Sequence, residues 1–212
     1  WPLAVQGPQA DTLMERVFGP VTREIKFFRG RWLRFLDTEM LVMRSGWSKQ
    51  GGFEIYLNDF ELGEPLWDEL FSKGNDLQVR AGCPNQIERL ESGLLSYGGD
   101  MNESHNPFEC GLGAYVDLDA DIESMSLPAL RRLEGKYRYQ LTGIAFPSRV
   151  DVPGLVFMEE NQVVGRITAQ VWSPKFNEYI MYAMMERARV EANPEITVDG
   201  VTGRFVPLLR ES

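Results

Sequence analysis

Arg44-Ser45-Gly46-Trp47-Ser48-Lys49-Gln50-Gly51-Gly52-Phe53-Glu54-Ile55-Tyr56-Leu57 decides how this chain is read. The stretch predicts a strand, a glycine-rich turn and a second strand. Within the second strand Phe53, Ile55 and Leu57 share one face, and Glu54 and Tyr56 share the other. The first face is core. The second offers an anionic acceptor and an amphipathic ring, close after another aromatic, Trp47. Such a set suits a flat heterocycle with donor groups along one edge. The carboxylate accepts the edge hydrogens as a forked pair while aromatic side chains cover the ring. A pterin has that edge. The alternative is a carboxylate on the wet face of a half-buried strand, and the residues alone leave both open.

Working outward, Leu3–Gln6 is a short strand closed by Gly7-Pro8, and residues 10–18 show helical spacing up to Gly19-Pro20. Phe27-Phe28, Trp32–Leu36 and Glu39–Arg44 predict strands of one antiparallel sheet with 53–57. Helices are expected at Glu64–Phe71, stopped by Gly74, and at Pro84–Tyr97, stopped by Gly98-Gly99. Residues 117–134 turn acidic and then helical, as a connector does. Beyond it, 137–146, 155–158, 162–171, 180–184 and 196–198 are short strands separated by turn residues, the pattern of a small β-barrel. The fold class is α+β: an antiparallel sheet with helices, then a small C-terminal β-barrel. The expected domains are 1–120 and 135–212.

The 212 residues suffice for one large or two modest domains, and the 43% apolar and 25% charged fractions are those of a globular protein. A net charge of -9 argues against nucleic acid as a partner. No apolar run reaches the ~20 residues of a membrane span, and no secretory leader precedes Trp1, which points to the cytoplasm. Cys83 and Cys110 read as buried free thiols of a reducing compartment. One histidine, His105, lies in a loop where a solvated side chain is expected, and no metal site is predicted.

Three motifs carry a resemblance. Residues 44–57, Ile87-Glu88-Arg89-Leu90-Glu91-Ser92-Gly93-Leu94-Leu95-Ser96-Tyr97-Gly98 and Asn106-Pro107-Phe108-Glu109-Cys110-Gly111-Leu112-Gly113 resemble the folate-dependent aminomethyltransferase superfamily, which includes the glycine cleavage T-proteins. Ser45–Gly52 and Gly82-Cys83-Pro84-Asn85 are most similar to its dimethylsulfoniopropionate (DMSP) demethylase branch. The resemblance runs from Leu3-Ala4-Val5-Gln6-Gly7-Pro8 to the last barrel segment. It implies tetrahydrofolate as cofactor, with Glu54 on the 2-amino and N3 edge of the pterin and Tyr56 beside it. For Phe28 it implies cover for the aminobenzoyl part, with core packing the alternative.

Two departures separate the chain from T-proteins: Trp47-Ser48-Lys49-Gln50 replaces their turn, and Asn85 stands where they carry a ligand-binding arginine. Trp47 suits a sulfonium, which an aromatic face stabilises by roughly 0.5–2 kcal/mol. The implied reaction is folate-dependent demethylation of DMSP to methylmercaptopropionate, giving 5-methyltetrahydrofolate and needing no nucleophile–histidine pair. T-protein-type aminomethyl transfer, folate-dependent O-demethylation and a non-catalytic folate-binding protein are the alternatives. Arg89 and Glu91 also match, and a solvated or paired helix charge is their plain reading. The small-molecule substrate is the expected partner, with a homodimer left open. The start at Trp1 predicts a portion of a longer protein, in which a preceding region helps build the donor pocket and without which turnover is not expected.

Overall fold

The structure is a computed structural model that describes residues 2–82 and 86–208. It divides into two compact units, residues 1–88 and 89–212.

In the first unit four strands, β1 (Pro2–Gln6), β2 (Gly30–Phe35), β3 (Thr38–Met43) and β4 (Gly52–Tyr56), form an antiparallel sheet in the order β1-β4-β3-β2. Strand alternation sorts its faces. Leu33, Phe35, Met40, Val42, Phe53 and Ile55 are buried on one side. Against them pack Leu13 and Met14 of α1 (Ala10–Phe18) and Leu66 and Leu70 of α2 (Gly63–Lys73). Each helix stops where the sequence says it should. Gly19, at φ 87°, donates its N–H to Glu15 O, and Gly74 donates to Leu70 O. The other face of the sheet carries Ala4, Gln6, Trp32, Glu54 and Tyr56. Phe27 and Phe28 form a turn ahead of β2 where a strand was expected, because Phe28 takes φ 55°, outside the extended region.

The second unit contains β5 (Tyr139–Phe146), β6 (Val156–Glu159), β7 (Gln162–Ser173), β8 (Glu178–Glu186), β9 (Glu195–Val198) and β10 (Val201–Val206), all antiparallel. The order is β6-β7-β8-β5-β10-β9, so β6 and β9 are the two edges. Phe157 of β6 and Ile196 of β9 nevertheless share one core with Ile144, Phe146, Met181 and Met185. Edges at opposite ends of a sheet reach a common core only if the sheet curls, which is the observed form of the expected barrel. The strand β10 and a helix α5 (Arg187–Ala192) were not expected from sequence. The outer face of β8 is covered too. Ile180 and Tyr182 pack with Leu90, and Met184 packs with the buried free thiol of Cys110. Burial pushes that thiol's pKa up.

The helix expected over 84–97 is much shorter: α3 spans Gln86–Glu91. Gly93, at φ 69°, ends it. Leu94 N–H reaches back to Arg89 O at 3.0 Å and Gly93 N–H to Leu90 O at 3.4 Å, the two bonds of a Schellman stop. Leu94 and Leu95 therefore lie beyond the helix. Residues 117–126 are irregular, and the expected helical part of the connector is α4 (Leu127–Leu133).

Candidate functional site

Strand β4 holds Glu54 on the face turned away from the core, opposite Ala4 of β1 and Met43 of β3. The small Ala4 leaves room in front of the carboxylate. Ser45 Oγ donates to Glu54 Oε2 at 2.5 Å, which fixes one oxygen and leaves Oε1 for another donor. In front lies a cavity of about 310 Å³ whose lining includes Glu54, Trp47, Ala4, Gln6, Arg80 and Glu88. Trp47, 37% exposed, contributes to the lining of this cavity from the loop between β3 and β4. Glu54 and Trp47, singled out in the sequence, thus border one space.

That loop is tethered at several points. Arg44 forms an ion pair with Asp11 of α1, donating from Nη2 to Oδ2 at 3.0 Å, and its guanidinium lies 5.1 Å from the Phe53 ring centroid. Gly7 N–H donates to Gly51 O at 3.1 Å. Gln50 Nε2 donates to Glu88 Oε1, joining the loop to α3. A larger cavity of about 1030 Å³, lined largely by β1, α1, α2 and residues 76–80, shares Ala4, Gln6, Gln50, Arg80 and Glu88 with the first. Of these two cavities, the smaller one has Glu54 and Trp47 in its lining.

Tyr56 shares the face of Glu54, two residues along β4, and its ring is 39% exposed without lining the cavity. Phe28 is 63% exposed and sits 4.2 Å from Phe27, ring to ring, also outside the cavity lining. Asn85 and Cys83 lie outside the described residues. Arg89 and Glu91 of α3 are both engaged outside the cavity lining. Arg89 meets Asp100 in a buried ion pair, and Glu91 accepts from Ser173 Oγ at 2.5 Å. His105 Nδ1 accepts from Asn102 N–H at 3.2 Å, a bond within its own loop. Among the described residues no acidic, histidine or cysteine side chains gather to hold a metal, and no helix is long and apolar enough to cross a membrane.

Sequence reasoning gave no role to Ser45, Gln6, Arg80 or Glu88. Gln6 was within reach, because period-two alternation from Ala4 puts it on the face of Glu54. Arg80 and Glu88 arrive from segments distant in sequence; Glu88 lies within the Ile87–Gly98 motif without being singled out there, and no local pattern marks Arg80.

Residues 1–120 match the sequence model of the GCVT N-terminal domain, and the chain belongs to that family. It is 44% identical over 213 aligned positions to the dimethylsulfoniopropionate demethylase DmdA of Ruegeria pomeroyi, covering 99% of this chain and 58% of that protein. An aminomethyltransferase of Thermotoga neapolitana is 31% identical, with 87% of this chain and 51% of the relative covered. The crystal structure of the glycine cleavage system aminomethyltransferase T from Bartonella henselae superposes with a TM-score of 0.74 at 21% identity. It covers 98% of this chain and 59% of that one, and it supports the α+β fold. The chain thus spans between half and three-fifths of the length of these relatives.

Proposed function

We propose that the intact protein carrying this chain is a tetrahydrofolate-dependent methyltransferase, and that its methyl donor is DMSP. The observation that carries this reading is the cavity shared by the Glu54 carboxylate and the Trp47 ring. Similarity to the Ruegeria pomeroyi demethylase, higher than to the aminomethyltransferases, supports the choice of donor. The site fits the cofactor chemically, because Glu54 borders the cavity and, with Oε2 anchored on Ser45, keeps a second oxygen able to accept from a donor edge. Tetrahydrofolate, when bound, would supply N5–H as acceptor of the methyl group: an N–CH3 bond would replace the S–CH3 bond, the sulfur would leave as the neutral thioether of the methylmercaptopropionate anion, and the N5 proton would pass to water.

Glu54 binds and orients the pterin edge. Trp47 presents a neutral aromatic wall that tolerates positive charge on sulfur or on nitrogen, so it can serve both ends of the transfer. Tyr56, two residues along the same strand face, and Phe28 are assigned by the family resemblance to the pterin and the aminobenzoyl part, which they would contact from outside the cavity lining. No general acid is required, since a thioether leaves without protonation. Catalysis then comes from alignment of donor and acceptor. The folate-binding part is proposed to be residues 1–120 and the C-terminal barrel domain residues 135–212.

The test supplies the intact protein with tetrahydrofolate and DMSP and follows 5-methyltetrahydrofolate. The expected result is DMSP-dependent product. Trp47→Ala should slow turnover at saturating folate by about twofold to thirtyfold, the rate equivalent of about 0.5–2 kcal/mol, with a smaller change in folate affinity. Absence of product from DMSP would overturn the choice of donor. Loss of folate affinity with turnover retained would move Trp47 to the cofactor wall.

A further inference from the structure

Gln6 makes more contacts with the Trp47 loop than any function assigned to it explains. Its Nε2 donates to Ser45 O at 3.1 Å and lies 3.3 Å from Phe53 O, the carbonyls on either side of the loop. Its Oε1 accepts from Ser48 Oγ at 2.8 Å. One carboxamide thus spans both limbs and reaches the residue after Trp47. Gln6 also borders the Glu54 cavity.

Two glycines make room for it. A Cβ built on Gly46 would lie 2.1 Å from Gln6 Oε1 and 2.2 Å from Nε2, and its nearest neighbours all belong to Gln6. Gly46 does not take a left-handed φ, so the backbone there admits any residue. Glycine at this position supplies space. At Gly52 a Cβ would meet Val5 O at 2.3 Å and Gln6 Nε2 at 2.7 Å, and φ is 149°.

We propose that Gln6 is a positioning residue whose carboxamide, admitted by Gly46 and Gly52, holds the Trp47 loop against the Glu54 cavity. It touches no reacting atom. Its contribution to methyl transfer rests on the functional reading above, whereas its hold on Trp47 does not.

Two variants of the intact protein test this by separate routes. Gln6→Met keeps the side-chain length and removes the amide bonds. Gly46→Ala leaves Gln6 in the sequence and displaces its carboxamide. With 5-fluorotryptophan incorporated, the Trp47 fluorine resonance is assigned by its loss in Trp47→Phe. Both variants should shift or broaden that resonance and leave the other tryptophan signals in place. A Trp47 resonance unmoved in both overturns the proposal.

Kinetics give a second readout. Gln6→Met should slow methyl transfer by no more than Trp47→Ala does, and the double variant should be no slower than Trp47→Ala alone, as residues acting as one unit behave. Fully multiplicative losses would show that Gln6 acts apart from Trp47 and would overturn the positioning role. If the intact protein makes no 5-methyltetrahydrofolate from DMSP, the functional reading fails, and the fluorine resonance still decides the role of Gln6.

Discussion

Glu54 has one oxygen committed to Ser45 and borders a cavity, an arrangement more specific than a solvated strand carboxylate requires. A neutral amide at this position retains an acceptor but loses the charge and one of two equivalent oxygens. Glu54→Gln is therefore expected to weaken tetrahydrofolate binding to the intact protein by about 1.5–3 kcal/mol, the scale of a hydrogen bond to a charged group. Calorimetric titration of both forms measures it. Equal affinities would return Glu54 to a wet-face carboxylate. Thermal stability should change little, because Glu54 is only half-buried and makes no ion pair among the described salt bridges. At this scale the sequence reveals the face a side chain takes wherever that follows from its own strand. Alternation within five residues puts Glu54 and Tyr56 on one face, and of the two only Glu54 joins Trp47 in the cavity lining. Arg80 reaches the cavity from a segment more than twenty residues beyond β4, so nothing local in the sequence announces it.

At the scale of elements, the sequence was reliable where periodicity and stop signals agreed and misleading where they conflicted. The spacing of Ile87, Leu90, Leu94 and Leu95 fits a helix running to Gly98, yet α3 closes at Glu91 because Gly93 turns the chain. Strand β10 escaped notice because Gly203 and Arg204 interrupt its apolar pattern. The glycine has a tertiary reason: a Cβ there would lie 2.6 Å from the fully buried Phe146 ring, which only the folded sheet reveals. Gly93 gives the sharper prediction. Its left-handed φ and the Leu94-to-Arg89 bond define the stop, so Gly93→Ala should destabilise the protein by about 1–2 kcal/mol, the cost of forcing an ordinary residue into that region. Gly93→Asn should cost less, since asparagine tolerates the conformation. Urea titrations of the three forms decide it. Equal stability of the alanine and asparagine variants would mean that the glycine is not needed for its backbone.

Over the whole molecule, each unit has its own apolar core, and the second adds a buried polar network that the sequence left as one option among paired or solvated charges. Arg89 and Asp100 are 5% and 1% exposed. Asp100 also accepts from Ser96 N–H and from Thr168 Oγ1, each at 2.8 Å, so both of its oxygens are engaged. The Arg89 guanidinium lies 5.9 Å from the Tyr182 ring centroid, and the Tyr182 hydroxyl donates to Leu90 O at 2.7 Å. Burial raises the phenol's pKa, so the hydroxyl stays a donor throughout the neutral range. These bonds join residues 89–100 to β7 and β8, where apolar contact alone would not fix one arrangement. A buried pair adds little net stability over a hydrophobic substitute, but removing one partner is costly. Asp100→Asn keeps the volume and takes away the carboxylate that faces Arg89, so it should destabilise residues 89–212 by about 3 kcal/mol or more. Thr168→Val removes the hydroxyl that donates to the Asp100 carboxylate and lies 3.3 Å from Tyr182 O, and should cost about 1.5–3 kcal/mol, the scale of a hydrogen bond to a charged group. Hydrogen exchange in the intact protein reads the two units separately: Asp100→Asn should lose protection across β7 and β8 and keep it in β3 and β4. A variant with unchanged exchange in β7 and β8 would show that the apolar contacts of Leu90, Ile180 and Tyr182 suffice to hold this segment.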